Sequence, residues 1–310
     1  MTTGHLRRDS MSLVGVVARG YKSIMHAITG ITGTVGSAVA GALLAAGERV
    51  RAVVRDATKG EPWAARGCEV VLAAMDDEAA LARAFDGARG VFILPPPEFD
   101  PEPDFATSRA VIGAVAGALG RAKPGKVVCL STIGADAKPE NLLSPRGWLE
   151  AALGDLALRV VFLRPAWFLE NAAWDVAPAR ETGVISSFLT PLDRAIPMVS
   201  ARDVGATAAR LLREDWTGQQ IVELEGPAPV SPNELAAAFS RALARPVRAE
   251  AVPHDAWEPL FRAQGMKHPI PRIRMIDGFN AGWIAFHGVP LRGTTSVDDV
   301  IGALVAGTRP

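Results

Sequence analysis

The sequence predicts a doubly wound parallel α/β fold with a smaller C-terminal lobe, and three observations carry that expectation. Short β-rich runs alternate with helical runs from Met25 onward. The strand-like runs are nearly continuous in apolar residues, as strands covered on both faces must be. A glycine-rich turn, Thr29-Gly30-Ile31-Thr32-Gly33-Thr34-Val35-Gly36, joins the first strand to the first helix. Right-handed crossovers between such elements give a sheet wound in both directions.

Taken in order, residues 25–29 form the first strand. Residues 35–46 form a helix of small apolar residues suited to close packing on a sheet. Strands follow at 49–55 and 68–72, and a helix at 77–85. The strand at 91–94 is halted by Pro95-Pro96-Pro97. A long helix over 105–121 leads to strands at 126–130 and 158–163. Beyond Arg164-Pro165 the pattern is less regular. Ser231-Pro232-Asn233-Glu234 reads as a capping box with proline at the first helical position, opening a helix to about 244. Residues 247–252 are a candidate strand and 296–306 a final helix. The stretches 165–200 and 225–290 are expected to fold together over the carboxyl ends of the strands, where such sheets bind ligands. The resulting division is an N-terminal extension at 1–24, expected to be poorly ordered, a nucleotide-binding core at 25–165, and a mixed segment at 166–310. That last segment completes the core and forms the substrate lobe.

Composition narrows the function classes. Of 310 residues 49% are hydrophobic, which excludes a disordered chain. Lys plus Arg and Asp plus Glu balance at 33 each, so no overall basic field draws nucleic acid. No apolar run reaches the roughly 18 residues that a membrane span needs. Arg7-Arg8 precede a short apolar stretch but lack a convincing cleavage site, so no export signal is read there. Two cysteines, Cys68 and Cys129, make neither a disulfide framework nor a zinc site, and a reducing cytoplasm is the expected compartment. The five histidines are scattered without metal-ligand spacing. His26 reads as structural, Asp203 as a residue of a helix start, and His254 and His268 as lobe residues within reach of a substrate pocket.

The glycine turn is the strongest functional signal. In a strand–turn–helix context, Gly30 permits the tight turn, Gly33 admits a pyrophosphate to the backbone, and Gly36 lets helix and strand pack closely. Thr32, Thr34 and Val35 complete the loop, whose N–H groups meet phosphate charge at the helix start. The second strand ends in Val54-Arg55-Asp56. An acidic residue there would accept from a ribose 2′-hydroxyl, whereas an arginine suits a 2′-phosphate, so Arg55 favours NADP(H) over NAD(H). Asp76, after the third strand, is either an adenine contact or a helix cap, and Asp77 is a plausible cap beside it.

With these features in order, and with Leu163-Arg164-Pro165-Ala166-Trp167-Phe168-Leu169-Glu170-Asn171, Arg202-Asp203-Val204-Gly205 and Arg292-Gly293-Thr294-Thr295 further on, the chain resembles the NmrA-like, atypical short-chain dehydrogenase/reductase family. The resemblance runs from Met25 to about Val305. It implies a Rossmann-like fold and NADP(H). It also implies that Pro95 and Pro96 border the cofactor, that Ser131 and Thr132 lie near the nicotinamide ribose, and that Trp167, Phe168 and Asn171 face nicotinamide and substrate. Such families include NADPH-dependent reductases of quinones, dyes and aromatic compounds, and cofactor-sensing regulators without turnover.

One departure is informative. Ordinary short-chain dehydrogenases protonate substrate with a tyrosine whose pKa is lowered by a lysine four residues later. The only tyrosine here is Tyr21, and Met25 follows it at that spacing. On the helix after the fifth strand, Gly147 and Trp148 stand about where other relatives carry a polar donor. Ser131 and Lys138 are the remaining, weak catalytic candidates. Trp148, Trp167 and Trp174, with Phe168 and Phe188, suggest an aromatic pocket for a flat apolar substrate. The expectation is an NADPH-dependent reductase of an aromatic, quinone-like or activated-alkene acceptor, acting as a monomer or homodimer without nucleic acid or membrane. The alternative is a non-catalytic NADP(H)-sensing regulatory protein.

Overall fold

The computed structural model describes Met1 and residues 25–307. The expected extension after Met1, with Tyr21 and His5, lies outside the described residues. From Met25 the chain forms β1 (Met25–Ile28), α1 (Thr34–Ala45), β2 (Arg49–Val54), α2 (Ala57–Ala64), β3 (Glu69–Leu72), α3 (Glu78–Phe85), β4 (Gly90–Ile93), α4 (Ala106–Ala122), β5 (Lys126–Leu130), α5 (Ser144–Gly154) and β6 (Val160–Pro165). The second half adds β7 (Trp167–Phe168), a 3₁₀ segment (Leu169–Asp175), α6 (Val176–Thr182), β8 (Val184–Ser187), β9 (Met198–Val199) and α7 (Ala201–Arg213). It continues with β10 (Gln219–Glu225), α8 (Pro232–Leu243), β11 (Arg248–Ala251), α9 (Trp257–Ala263), α10 (Ile270–Ala281), β12 (Leu291–Arg292) and α11 (Val297–Ala306).

Among the described residues the main sheet has eight strands in the order β12-β10-β6-β5-β4-β1-β2-β3, all paired in parallel. The order reverses at β1, which pairs with β2 on one side (Ile28 opposite Ala52) and β4 on the other (Ile28 opposite Phe92). A doubly wound sheet binds its ligand in the crevice that this reversal opens. One face is covered by Val39 and Leu43 of α1 with Val204 and Leu212 of α7. The other is covered by Leu81 and Phe85 of α3, Val115 and Leu119 of α4, and Leu149 and Leu153 of α5. A separate apolar core gathers Leu169, Met198, Trp257, Phe261, Ile276 and Phe279 in the C-terminal region.

The structure differs from the sequence reading in several elements. α2 and β10 are additions, the first hidden by Gly60 and Pro62 and the second by its polar opening Gln219-Gln220. Residues 219–225 therefore belong to the main sheet, and all but Glu225 lie outside the stretches expected to cover it. The capping box at Ser231 and Glu234 is present, and Ser296 with Asp299 forms another before α11. Asp203 does lie in the first turn of α7, and it also accepts hydrogen bonds from the Thr294 and Thr295 backbones and the Thr295 hydroxyl. Two motifs distant in sequence are thereby tied together.

Candidate functional site

The crevice begins where β1 passes into α1. Thr29 is fully buried; its hydroxyl donates to the Phe92 carbonyl at 3.0 Å and accepts from the Leu94 N–H at 2.8 Å, clamping the ends of β1 and β4. Gly30 has φ of +63°, a conformation that a side chain would strain, and a Cβ there would also press on Leu94. At Gly36 a Cβ would lie 2.2 Å from the Gly30 carbonyl oxygen, so only glycine lets α1 start this close to the turn. Gly33 is the N-cap of α1, and no side chain caps it. Thr32, Gly33 and Thr34 are exposed and Val35 is buried beneath them. The uncapped N–H groups at the start of α1 therefore lie in an exposed turn where Gly30, Gly33 and Gly36 carry no Cβ, a cradle that fits a pyrophosphate.

At the end of β2 two neighbouring charges are separated. Asp56, also exposed, caps α2, accepting from the Thr58 N–H at 2.9 Å. Arg55 is exposed and makes no hydrogen bond or ion pair with the described residues. The same division recurs after β3. Asp77 caps α3 through the Ala80 N–H at 2.9 Å, and Asp76 stays exposed beside it. Each pair thus leaves one charged side chain free at the rim of the crevice.

The far side of the crevice is built by β5, α5 and β6. Ser131, just past β5, is buried, and its hydroxyl donates to Glu150 of α5. Glu150 also receives both Nε (2.9 Å) and Nη2 (2.6 Å) of Arg164 at the end of β6. Arg164 Nη1 continues to Asp136 at 3.0 Å, and Asp136 to exposed His287 at 3.1 Å. Burial works against the Arg164 charge, but Glu150 and Asp136 more than offset it and its pKa is raised. Arg164 in turn holds the Asp136 carboxyl below its ordinary value, against the effect of burial. The Ser131 proton is committed to this network, which sequence patterns did not reveal because its members are far apart in the chain.

The remaining candidates divide between two places. Trp167 is half-buried in the C-terminal core and meets Phe279 edge-on at 5.1 Å, Phe168 packs instead against the core under α1 and α7, and Asn171 is exposed on the following 3₁₀ turn. Lys138 is exposed in the loop after β5. Together with Trp148 it lines a cavity of about 640 Å³ running beside α5 over Phe162 and Ile221; Trp167, Phe168 and Asn171 are not among its lining residues. The Trp148 ring meets Phe105 at 5.2 Å and carries the Arg109 guanidinium at 4.2 Å. Trp174 is 88% exposed, and Phe188 packs on Trp257 and Phe261 in the lobe core. The aromatic residues thus do not line a single cavity. Pro95 is buried, and its carbonyl accepts from Arg146 Nη2 at 3.3 Å.

That contact revises the reading of α5. Gly147 packs against the loop, where a Cβ would lie 2.0 Å from the Ala135 carbonyl oxygen. The residues of α5 directed at Pro95 and Ser131 are Arg146 and Glu150, not Gly147 and Trp148. His254 and His268 pair with Asp277 (3.0 Å) and Glu102 (3.1 Å). Cys129 is buried, and burial pushes its thiol up to about 12, which leaves it inert. Asp175, at the end of the 3₁₀ segment, is pushed up to about 6 by burial. Among the described residues no three His, Cys, Asp or Glu side chains are placed to hold a metal, and no helix is long and apolar enough to cross a membrane.

Comparison with known proteins gives a consistent picture. A model of the NmrA-like family matches residues 23–274. The NAD(P)H azoreductase of Xenophilus azovorans is 29% identical over 246 residues, covering 78% of this chain and 82% of that protein. A (4-alkanoyl-5-oxo-2,5-dihydrofuran-3-yl)methyl phosphate reductase of Streptomyces griseus is 31% identical over 250 residues, covering 80% and 83%. Among solved structures, an NADPH-dependent quinone oxidoreductase of Escherichia coli complexed with NADPH superposes with a TM-score of 0.72 at 23% identity, covering 92% of this chain and 95% of that one. The triphenylmethane reductase of Citrobacter sp. gives 0.76 at 19% identity, covering 91% and 99%. These two structural likenesses establish the fold.

Proposed function

The chain belongs to the NmrA-like family, whose members bind NAD(P), and from that premise we propose that it is an NADPH-dependent reductase of quinone-like or other aromatic acceptors. The observation that carries the reading is the uncapped glycine cradle together with the free Arg55 at its rim. In this reading the N–H groups of Thr34 and Val35 at the start of α1 hold the pyrophosphate, with Gly30, Thr32, Gly33 and Gly36 shaping the turn. Arg55 takes the 2′-phosphate in its planar fork, and Asp76 accepts from the adenine amino group. Pro95 and Ser131 border the nicotinamide end, and Trp167, Phe168 and Asn171 face the acceptor. When bound, the cofactor supplies a hydride. The chain orients the acceptor and excludes water, and a quinone or dye needs no strong internal acid, which suits a site without a tyrosine–lysine pair. The names of the azoreductase and the quinone and dye reductases among the similar proteins support this acceptor class.

The test is NADPH consumption with a panel of benzoquinones, naphthoquinones, azo dyes and triphenylmethane dyes. Many turnovers per enzyme above the uncatalysed rate, faster with NADPH than NADH, are expected. Firm NADPH binding without turnover across the panel would contradict the reductase reading and leave that of a nucleotide-sensing protein.

A further inference from the structure

Arg146 occupies an unusual position. It lies in the first turns of α5, one turn before Glu150 on the same helix face, and Glu150 is anchored to Ser131 at the end of β5. Arg146 is thereby directed over the strand ends. The one hydrogen bond of its side chain to the described residues is the 3.3 Å contact from Nη2 to the Pro95 carbonyl. Among the described residues no carboxylate pairs with it, whereas Arg164 nearby has two. Arg146 keeps some contact with solvent, yet it is set deeply enough that burial lowers its pKa. Its Nε and Nη1 make no hydrogen bond to the described residues, and neither is fully enclosed. The glycine loop borders the same spot: Thr29 holds the Leu94 N–H while Arg146 holds the neighbouring Pro95 carbonyl. A deeply set cation without a counterion costs stability. Titratable groups perturbed by burial cluster at functional sites.

We propose that Arg146 meets the negative charge of the acceptor, donating a free N–H to the acceptor oxygen on which charge builds during reduction. The inference rests on the reductase reading above and deepens it. A quinone that accepts a hydride gains two electrons and one proton and becomes a hydroquinone monoanion. The nicotinamide is oxidised in the same step, and water then supplies the second proton. An arginine holds its own proton too firmly to give it up, so it stabilises the anion without protonating it. Arg146 thus performs by charge what a tyrosine performs by proton transfer.

The experiment compares wild type with Arg146→Met and Arg146→Lys, using menadione and NADPH. Removing the cation is expected to lower kcat on the order of 100-fold, as loss of an oxyanion donor does. NADPH affinity should be unchanged and thermal stability no lower than wild type, and Arg146→Lys should retain part of the rate. A second readout needs no turnover: absorbance titration of para-nitrophenol into the NADP⁺ complex. Wild type should bind it as the yellow anion, and Arg146→Met should lose that preference. Unchanged kcat in Arg146→Met, equal anion binding by both proteins, or a parallel loss of NADPH affinity would each overturn the proposal. If Arg146→Met does not fold, an Arg146→Lys variant that folds but shows no residual rate and no anion preference would overturn it as well. Arg146-dependent anion binding in a protein that reduces no acceptor would sink the reductase reading and leave the anion site standing.

Discussion

At the scale of single residues, the crevice is organised by which member of a charged pair is spent on structure. Asp56 and Asp77 cap helices, so Arg55 and Asp76 are left at the rim. Their places were legible because strand ends and caps are local properties of sequence. Arg146 was not legible, because helix-face assignment shifts by 100° with each residue and the start of α5 carries no distinctive cap. His26 shows a different compromise. It is 1% exposed, both ring nitrogens lack hydrogen-bond partners, and Glu48 at 3.8 Å is too distant to bond it. Burial, with lesser contributions from Lys126, Arg89 and Arg213, lowers its pKa from 6.5 to about 4. Between those values the unfolded chain binds a proton that the folded chain refuses. Stability from this group is therefore full above pH 6.5 and falls as pH drops toward about 4. The loss amounts to about 3 kcal/mol over that window. In urea unfolding as a function of pH, His26→Leu should lack this component; parallel pH curves for the two proteins would refute it.

At the scale of elements, α5 is fixed to β5 and β6 by Ser131, Glu150 and Arg164. Glu150 and Arg164 are buried, so each depends on the other for compensation. Glu150→Ala should destabilise the protein by about 3–5 kcal/mol, because it leaves a buried guanidinium short of a partner. Pairing Glu150→Leu with Arg164→Met should recover most of that loss in chemical denaturation. A double variant no more stable than Glu150→Ala would contradict this. The periodic, well-capped elements of the core were readable from sequence, with boundaries shifted by a residue or two. α2 was not, because Gly60 and Pro62 in eight residues obscure its period. β10 opens with three exposed residues, Gln219, Gln220 and Ile221, and resembles a loop until it pairs with β6.

At the scale of the whole molecule, the reversal of strand order between β2 and β4 places the glycine loop, the free Arg55 and the Arg146 side chain along the ends of one sheet. Residues 25–165 carry most of this arrangement, and their order in the chain made it readable. The second half was harder, since its placement depends on long-range ties such as Asp203 to Thr295. The aromatic residues, expected to line one pocket, are shared between a lobe core, a groove beside α5 and the surface. Composition does not fix such a distribution. The dinucleotide crevice itself is tested most directly by titrating wild type and Arg55→Ala with NADPH and with NADH while following tryptophan fluorescence. NADPH binding that weakens at least about tenfold in the variant, about 1.4 kcal/mol, with NADH binding little changed, is the expected result. Failure of wild type to bind either nucleotide, or an equal loss for both in Arg55→Ala, would contradict it.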